Sequence, residues 1–242
     1  MMKIGVLLLL ALPLLPASDE LVKPEKVPVS TWVREDLFAG WIANDPKTQE
    51  RGMLKVDRYL QDHPDDPTAL AWKYFAMTYN MRDAMQKKDS AGYAQVLASA
   101  ERVRKKIFAG DLQDPGAYII VGSSLVGIAY WAPAEDRTWM YRDGRELLNK
   151  VPGLQEQYFD KLPPHMRGEL WTQIAFASDR LGDAAERDRV LNEIATKLAG
   201  SPYETRARGW MKSGLGSEKQ YTCISCHEPG RLAPTMARLK AN

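Results

Sequence analysis

The stretch GELWTQIAFASDRLGDAAERDRVLNEIATKLAGSP, residues 168–202, decides the fold. Trp171, Ile174 and Ala175 recur at spacings that put them on one face of a first helix. Leu181-Gly182-Asp183 reads as a turn, with a glycine free to take the left-handed conformation and an aspartate able to cap the next helix. Leu191 and Ile194 then face back from that second helix, and Pro202 closes it. Two helices joined by so short a turn must lie antiparallel.

Similar punctuation runs through the chain. Asp45-Pro46, Asp66-Pro67 and Asp114-Pro115 each set a carboxylate before a proline. The carboxylate accepts the first-turn N–H groups that have no intrahelical partner, and proline at the first helical position lacks a donor that would go unused. A further helix is expected from Ser90, where Tyr93, Val96, Leu97, Ala100, Val103 and Ile107 share a helical face before Gly110 stops it. No comparable period-two stretch occurs, so the chain reads as all-α.

The 168–202 hairpin resembles the tetratricopeptide repeat: a Trp, a small residue, a turn glycine and a closing proline stand in nearly the expected order. Arg187 departs from it, standing where a small packing residue is usual. The run from Tyr59-Leu60 through Pro64-Asp65-Asp66-Pro67 to Trp72, Tyr74 and Phe75 is similar to a junction between two such hairpins. The resemblance implies stacked antiparallel helical hairpins across residues 45–213, after an N-terminal extension and first helix at 18–44.

Residues 115–134 carry no charge, and Ile119, Ile120, Val121, Leu125, Val126 and Ile128 make the stretch long enough on paper to cross a membrane. Its glycines and serines suit equally a helix buried among close neighbours. The cysteine motif at residues 223–227 favours the buried helix, because a crossing here would return that motif to the compartment where its chemistry is not carried out.

Composition excludes little but sets the frame. The 242 residues are 45% apolar and 26% charged, with a formal net charge of +2, so nothing pulls the chain toward nucleic acid. Met1-Met2-Lys3, an apolar run over residues 4–15 and Leu15-Pro16-Ala17 form the three parts of a secretory signal peptide. Its removal takes away only Lys3 among charged residues and leaves a mature chain of formal charge +1 in the periplasm.

The two cysteines of the chain both belong to Cys223-Ile224-Ser225-Cys226-His227, the C-x-x-C-H attachment sequence of c-type haem. Two thiols one helical turn apart can add to the two vinyl groups of one porphyrin, and His227 then projects toward the iron. Zinc would need a fourth ligand from His63, His165 or a carboxylate. A redox dithiol or a 223–226 disulfide would lack the strand–helix alternation that usually accompanies it.

Met211 is the expected sixth iron ligand, with Met236, His165 or His63, or an open site, as alternatives. The order of a helix with Met211, a loop over 213–221 and then C-x-x-C-H is similar to the local haem unit of photosynthetic reaction-centre cytochrome subunits, over about residues 203–230. That family's several haems have no counterpart here. Residues 214–242 are too few to enclose a haem alone, so Trp210, Leu215, Tyr221 and Leu232 are candidates for its wall. Arg231, Arg238 and Lys240 are candidates for its propionates. The expectation is a monohaem cytochrome that passes electrons to a redox protein or membrane-bound electron-transfer complex, using the helical domain to dock. The alternative is a repeat adaptor with a structural haem or a C-x-x-C dithiol or disulfide.

Export with cleavage predicts a mature protein that starts at Ser18. N-terminal sequencing of the exported chain checks this, and retention of residues 1–17 contradicts it.

Overall fold

The structure is a computed structural model and describes residues 21–43 and 45–216. The signal-peptide region, the C-x-x-C-H motif and Met236 lie outside the described residues. Among the described residues there are nine α-helices and no strand. They are α1 (Val29–Ala43), α2 (Pro46–Asp62), α3 (Pro67–Gln86), α4 (Ser90–Ile107), α5 (Pro115–Ala129), α6 (Ala134–Leu154), α7 (Pro164–Arg180), α8 (Ala184–Lys197) and α9 (Pro202–Ser213).

The helices begin where the aspartates stand. Asp45, Asp66, Asp89, Asp114 and Asp183 each accept a hydrogen bond from a first-turn backbone N–H, at 2.8 to 3.1 Å. Such a cap contributes about 0.5–2 kcal/mol. Proline opens α2, α3, α5, α7 and α9. The turn expected at 181–183 is present: α7 ends at Arg180, Gly182 has φ +73°, and Asp183 caps α8.

Short turns join α1 to α2, α3 to α4, α5 to α6 and α7 to α8, and the members of each pair pack on one another. The segment before residue 45 therefore supplies α1 as half of the first hairpin. The odd helices also touch in series, α1 on α3, α3 on α5, α5 on α7 and α7 on α9. The result is an inner layer of odd helices and an outer layer of even ones, the stacking of tetratricopeptide-like hairpins.

This layering explains the sequence patterns. An inner helix has neighbours on several sides and cannot spare a polar face. Leu70, Tyr74 and Met81 of α3 enter the main core, while Ala69, Trp72 and Ala76 of the same helix enter a second cluster with Trp32, Val33 and Leu37 of α1. In α5, Ala117, Val121, Leu125 and Ala129 are wholly buried. The uncharged stretch is thus a core helix of 15 residues, about 22 Å long against the roughly 30 Å of a bilayer's hydrocarbon. Among the described residues, no helix is long and apolar enough to cross a membrane.

Helices α5 and α6 approach closely. A Cβ on Gly122 would lie 2.8 Å from Leu148 Cγ and 3.0 Å from the Gly144 carbonyl oxygen, and one on Gly144 would lie 3.0 Å from the Gly122 oxygen. The two backbones meet where neither helix carries a side chain. At the N-terminal end ion pairs join α1 to α2: the buried Asp36 carboxylate accepts from Arg51 and Lys55, each at 2.6 Å.

Gly144→Val is expected to lower unfolding free energy by about 1–3 kcal/mol through overpacking. Gly127→Ala, where an added Cβ meets nothing within 4 Å, is expected to raise it by about 0.5–1 kcal/mol. Urea unfolding followed by circular dichroism checks both; a neutral Gly144→Val contradicts the packing described.

Candidate functional site

The chain approaches its C-terminal motif through α9. Tyr203 and Ala207 bury that helix, and the Tyr203 ring lies directly against Gly168 of α7, a place no larger residue could leave open. At its start the Glu204 carboxylate accepts from the Gly200 N–H and from Arg208, both at 2.7 Å. These two bonds, the backbone one first, hold its carboxyl below the usual carboxylate range.

The last turn of α9 presents the candidate ligand. Trp210 is half-buried against the core, and the Arg206 guanidinium stands over the rings of Tyr203 and Trp210 at 5.5 and 5.9 Å. Met211 is 40% exposed. It fills no gap in the core, so its thioether is available to something outside the described residues.

Gly214, at φ +79°, then ends α9 in a conformation that side chains disfavour. Leu215 packs half-buried on the core, and the Arg180 guanidinium donates to the Gly216 carbonyl at 3.0 Å. Arg180 itself lies 4.7 Å over the Phe176 ring. The chain is thereby carried from the end of α9 across the C-terminal end of α7.

That end of the molecule is stiffened by charge. Arg187 of α8 reaches back to Asp179 of α7 at 3.1 Å and bonds Asp188 at 2.8 Å, and these bonds raise its already high pKa. The departure from the repeat pattern at Arg187 is thus accommodated by an ion pair across the turn. Asp183, capping Glu186 and paired with Arg145 at 2.7 Å, is held below its ordinary pKa mainly by the cap.

The histidines are elsewhere. His63 follows α2, exposed, with its ring 4.4 Å from that of Tyr59. His165 sits in the first turn of α7, its Nδ1 2.7 Å from the Tyr203 hydroxyl, which donates to Glu169 at 2.7 Å. Both belong to the edge where even helices end and odd helices begin. The length of α7, 17 residues or about 25 Å, separates His165 from the Arg180 end.

Of the expected site residues, Met211, Trp210 and Leu215 are brought together at one end, and His63 and His165 are not. Cys223, Cys226, His227, Met236, Tyr221, Leu232, Arg231, Arg238 and Lys240 lie outside the described residues. Cys223 is seven residues beyond Gly216, an extended length of about 25 Å. Among the described residues, no group of three or more His, Cys, Asp or Glu side chains is placed to hold a metal ion. Arg180, which directs the exit, was not singled out from the sequence; arginine in the last turn of a helix is too common to be a signal.

No family model, curated protein or solved structure matches the chain. The functional reading therefore stands on the residues themselves.

Arg180→Ala is expected to speed hydrogen exchange several-fold at Leu215 and Gly216 while leaving amides in the middle of α7 unchanged. Loss of protection throughout α7, α8 and α9 would contradict a local tether.

Proposed function

We propose that the chain is an exported monohaem c-type cytochrome that transfers electrons within, or to, a larger redox complex. The observation that carries this is the C-x-x-C-H motif, within reach of a rigid helical end whose last turn offers an exposed methionine. In this reading Cys223 and Cys226 form the thioether links and His227 is the proximal ligand. Met211 supplies the sixth ligand, with Met236 as the alternative.

The residues at the end of α9 fit such a group. The Met211 thioether outside the core, the half-exposed Trp210 indole beside it and the Arg206 guanidinium over that indole are a soft ligand, an apolar wall and a charge suited to a propionate. Haem c, when bound, supplies a one-electron couple. Met211 and His227 together would raise its potential and favour electron transfer over ligand binding. The distance of His63 and His165 from this end disfavours either as the sixth ligand.

The helical domain is read as the docking scaffold. Stacked hairpins offer long surfaces to a partner chain, here a redox protein or membrane-bound electron-transfer complex. The adaptor reading, with Cys223 and Cys226 as a dithiol or disulfide, is what remains if the protein binds no haem.

The exported protein is expected to show a c-type spectrum that Cys223→Ala with Cys226→Ala abolishes. Met211→Ala is expected to remove the near-infrared band of methionine–iron ligation, while Met236→Ala keeps it. The reverse pattern assigns the ligand to Met236, and colourless wild-type protein overturns the cytochrome reading.

A further inference from the structure

The stack has one imperfect joint. Helices α2, α6 and α8 each pack on the odd helix that comes next in the chain, whereas α4 makes at most marginal contact with α5. The connector over residues 108–114 holds the two apart, and a cleft of about 490 Å³ opens between α4 and the start of α6. Met85, Tyr93, Ala94, Leu97, Ala98 and Pro133 give it largely apolar walls. Ala94 and Ala98 are exposed on a helix face that no other described element covers.

Its charged lining residues, Glu135 and Asp136, are both acidic. Glu135 is exposed and has no ion pair among the described residues. The Asp136 carboxylate meets two neutral donors, the Tyr93 hydroxyl and the Trp139 Nε1, each at 2.9 Å. The cleft therefore asks for an apolar segment that brings positive charge.

We propose that the occupant is the chain's own residues 229–242. This stretch has Leu232, Met236 and Leu239 at spacings that would form one stripe on a helix, with Arg231, Arg238 and Lys240 and no acidic residue. The direction of exit agrees. Arg180 turns the chain from α9 onto the end of α7, heading back along the stack. The end of α5 and the mouth of the cleft, formed by the end of α3 and the starts of α4 and α6, lie on that same edge.

The reach suffices. Neighbouring helices pack 8–10 Å apart, so the cleft is about 20 Å from the end of α7 and about 30 Å from that of α9. With His227 and Met211 on one iron, residues 228–242 set out from the end of α9, and these fifteen residues extend to about 50 Å. The inference rests on the reading of Met211 as the iron's methionine, which leaves Met236 free to pack.

Limited trypsin digestion of the full-length protein, with intact mass as readout, tests it. Cleavage after Arg231 and Arg238 is expected to be slow in the wild type and about tenfold faster in Ala98→Arg, which fills the cleft, and in Glu135→Lys. Arg238→Glu in the Glu135→Lys background is expected to restore protection at Arg231. Both altered positions are exposed, and an unchanged circular dichroism melt verifies the fold. Equal cleavage rates in wild type and variants overturn the proposal. Protection that falls on dilution overturns it in favour of a second copy. Haem content reads the cytochrome assignment separately, since colourless but protected protein would sink that reading and leave the docking intact.

Discussion

The structure depends on one constraint: a 15-residue helix without a single charged side chain must bury most of its surface. Helix α5 meets it by packing on α3, α6 and α7 at once. The tightest of these contacts is the backbone approach at Gly122 and Gly144, where any added methyl group would strike the opposite helix. Once α5 is central, α3 and α7 must also be inner helices. The amphipathic helices α2, α4, α6 and α8 are left to form the outer layer. The order of layers is set by which helices can turn a face to water.

A two-layer stack has two unlike edges, and that difference organises the functional end. At one edge the odd helices finish and the short hairpin turns lie; at the other the even helices finish. Met211, Arg180 and Gly216 are on the first edge, His63 and His165 on the second. The partition of candidate ligands is thus a consequence of helix direction. The Arg180 guanidinium, held on the Phe176 ring and bonded to the Gly216 carbonyl, converts that direction into the path by which the chain leaves α9. A cofactor carried on that chain would rest on the last hairpin, because the attachment segment is too short to travel far.

Much of this was legible in the sequence, for physical reasons that differ from element to element. The Asp-Pro pairs and Leu181-Gly182-Asp183 mark helix boundaries through hydrogen bonds made within three residues, so a short stretch of sequence contains both partners. The burial of 115–134 was legible only by combining its lack of charge with the location of the cysteine motif. Contacts between distant residues left no local trace. His165 and Tyr203 lie 38 positions apart, Arg180 and Gly216 lie 36 apart, and neither pair has spacing or composition that betrays it. The same holds for the cleft between α4 and α6, which arises from a missing contact at one joint of an otherwise regular stack. Arg187, an irregularity against the repeat pattern, became intelligible once Asp179 was seen opposite it.

The central claim is that two thiols near the C-terminus hold a covalent haem at the end of this helical stack. The most direct test is the intact mass of the exported protein under denaturing conditions. A mass equal to the mature polypeptide plus one haem, persisting through unfolding, is the expected result. The bare polypeptide mass, with Cys223 and Cys226 free or joined as a disulfide, would contradict it.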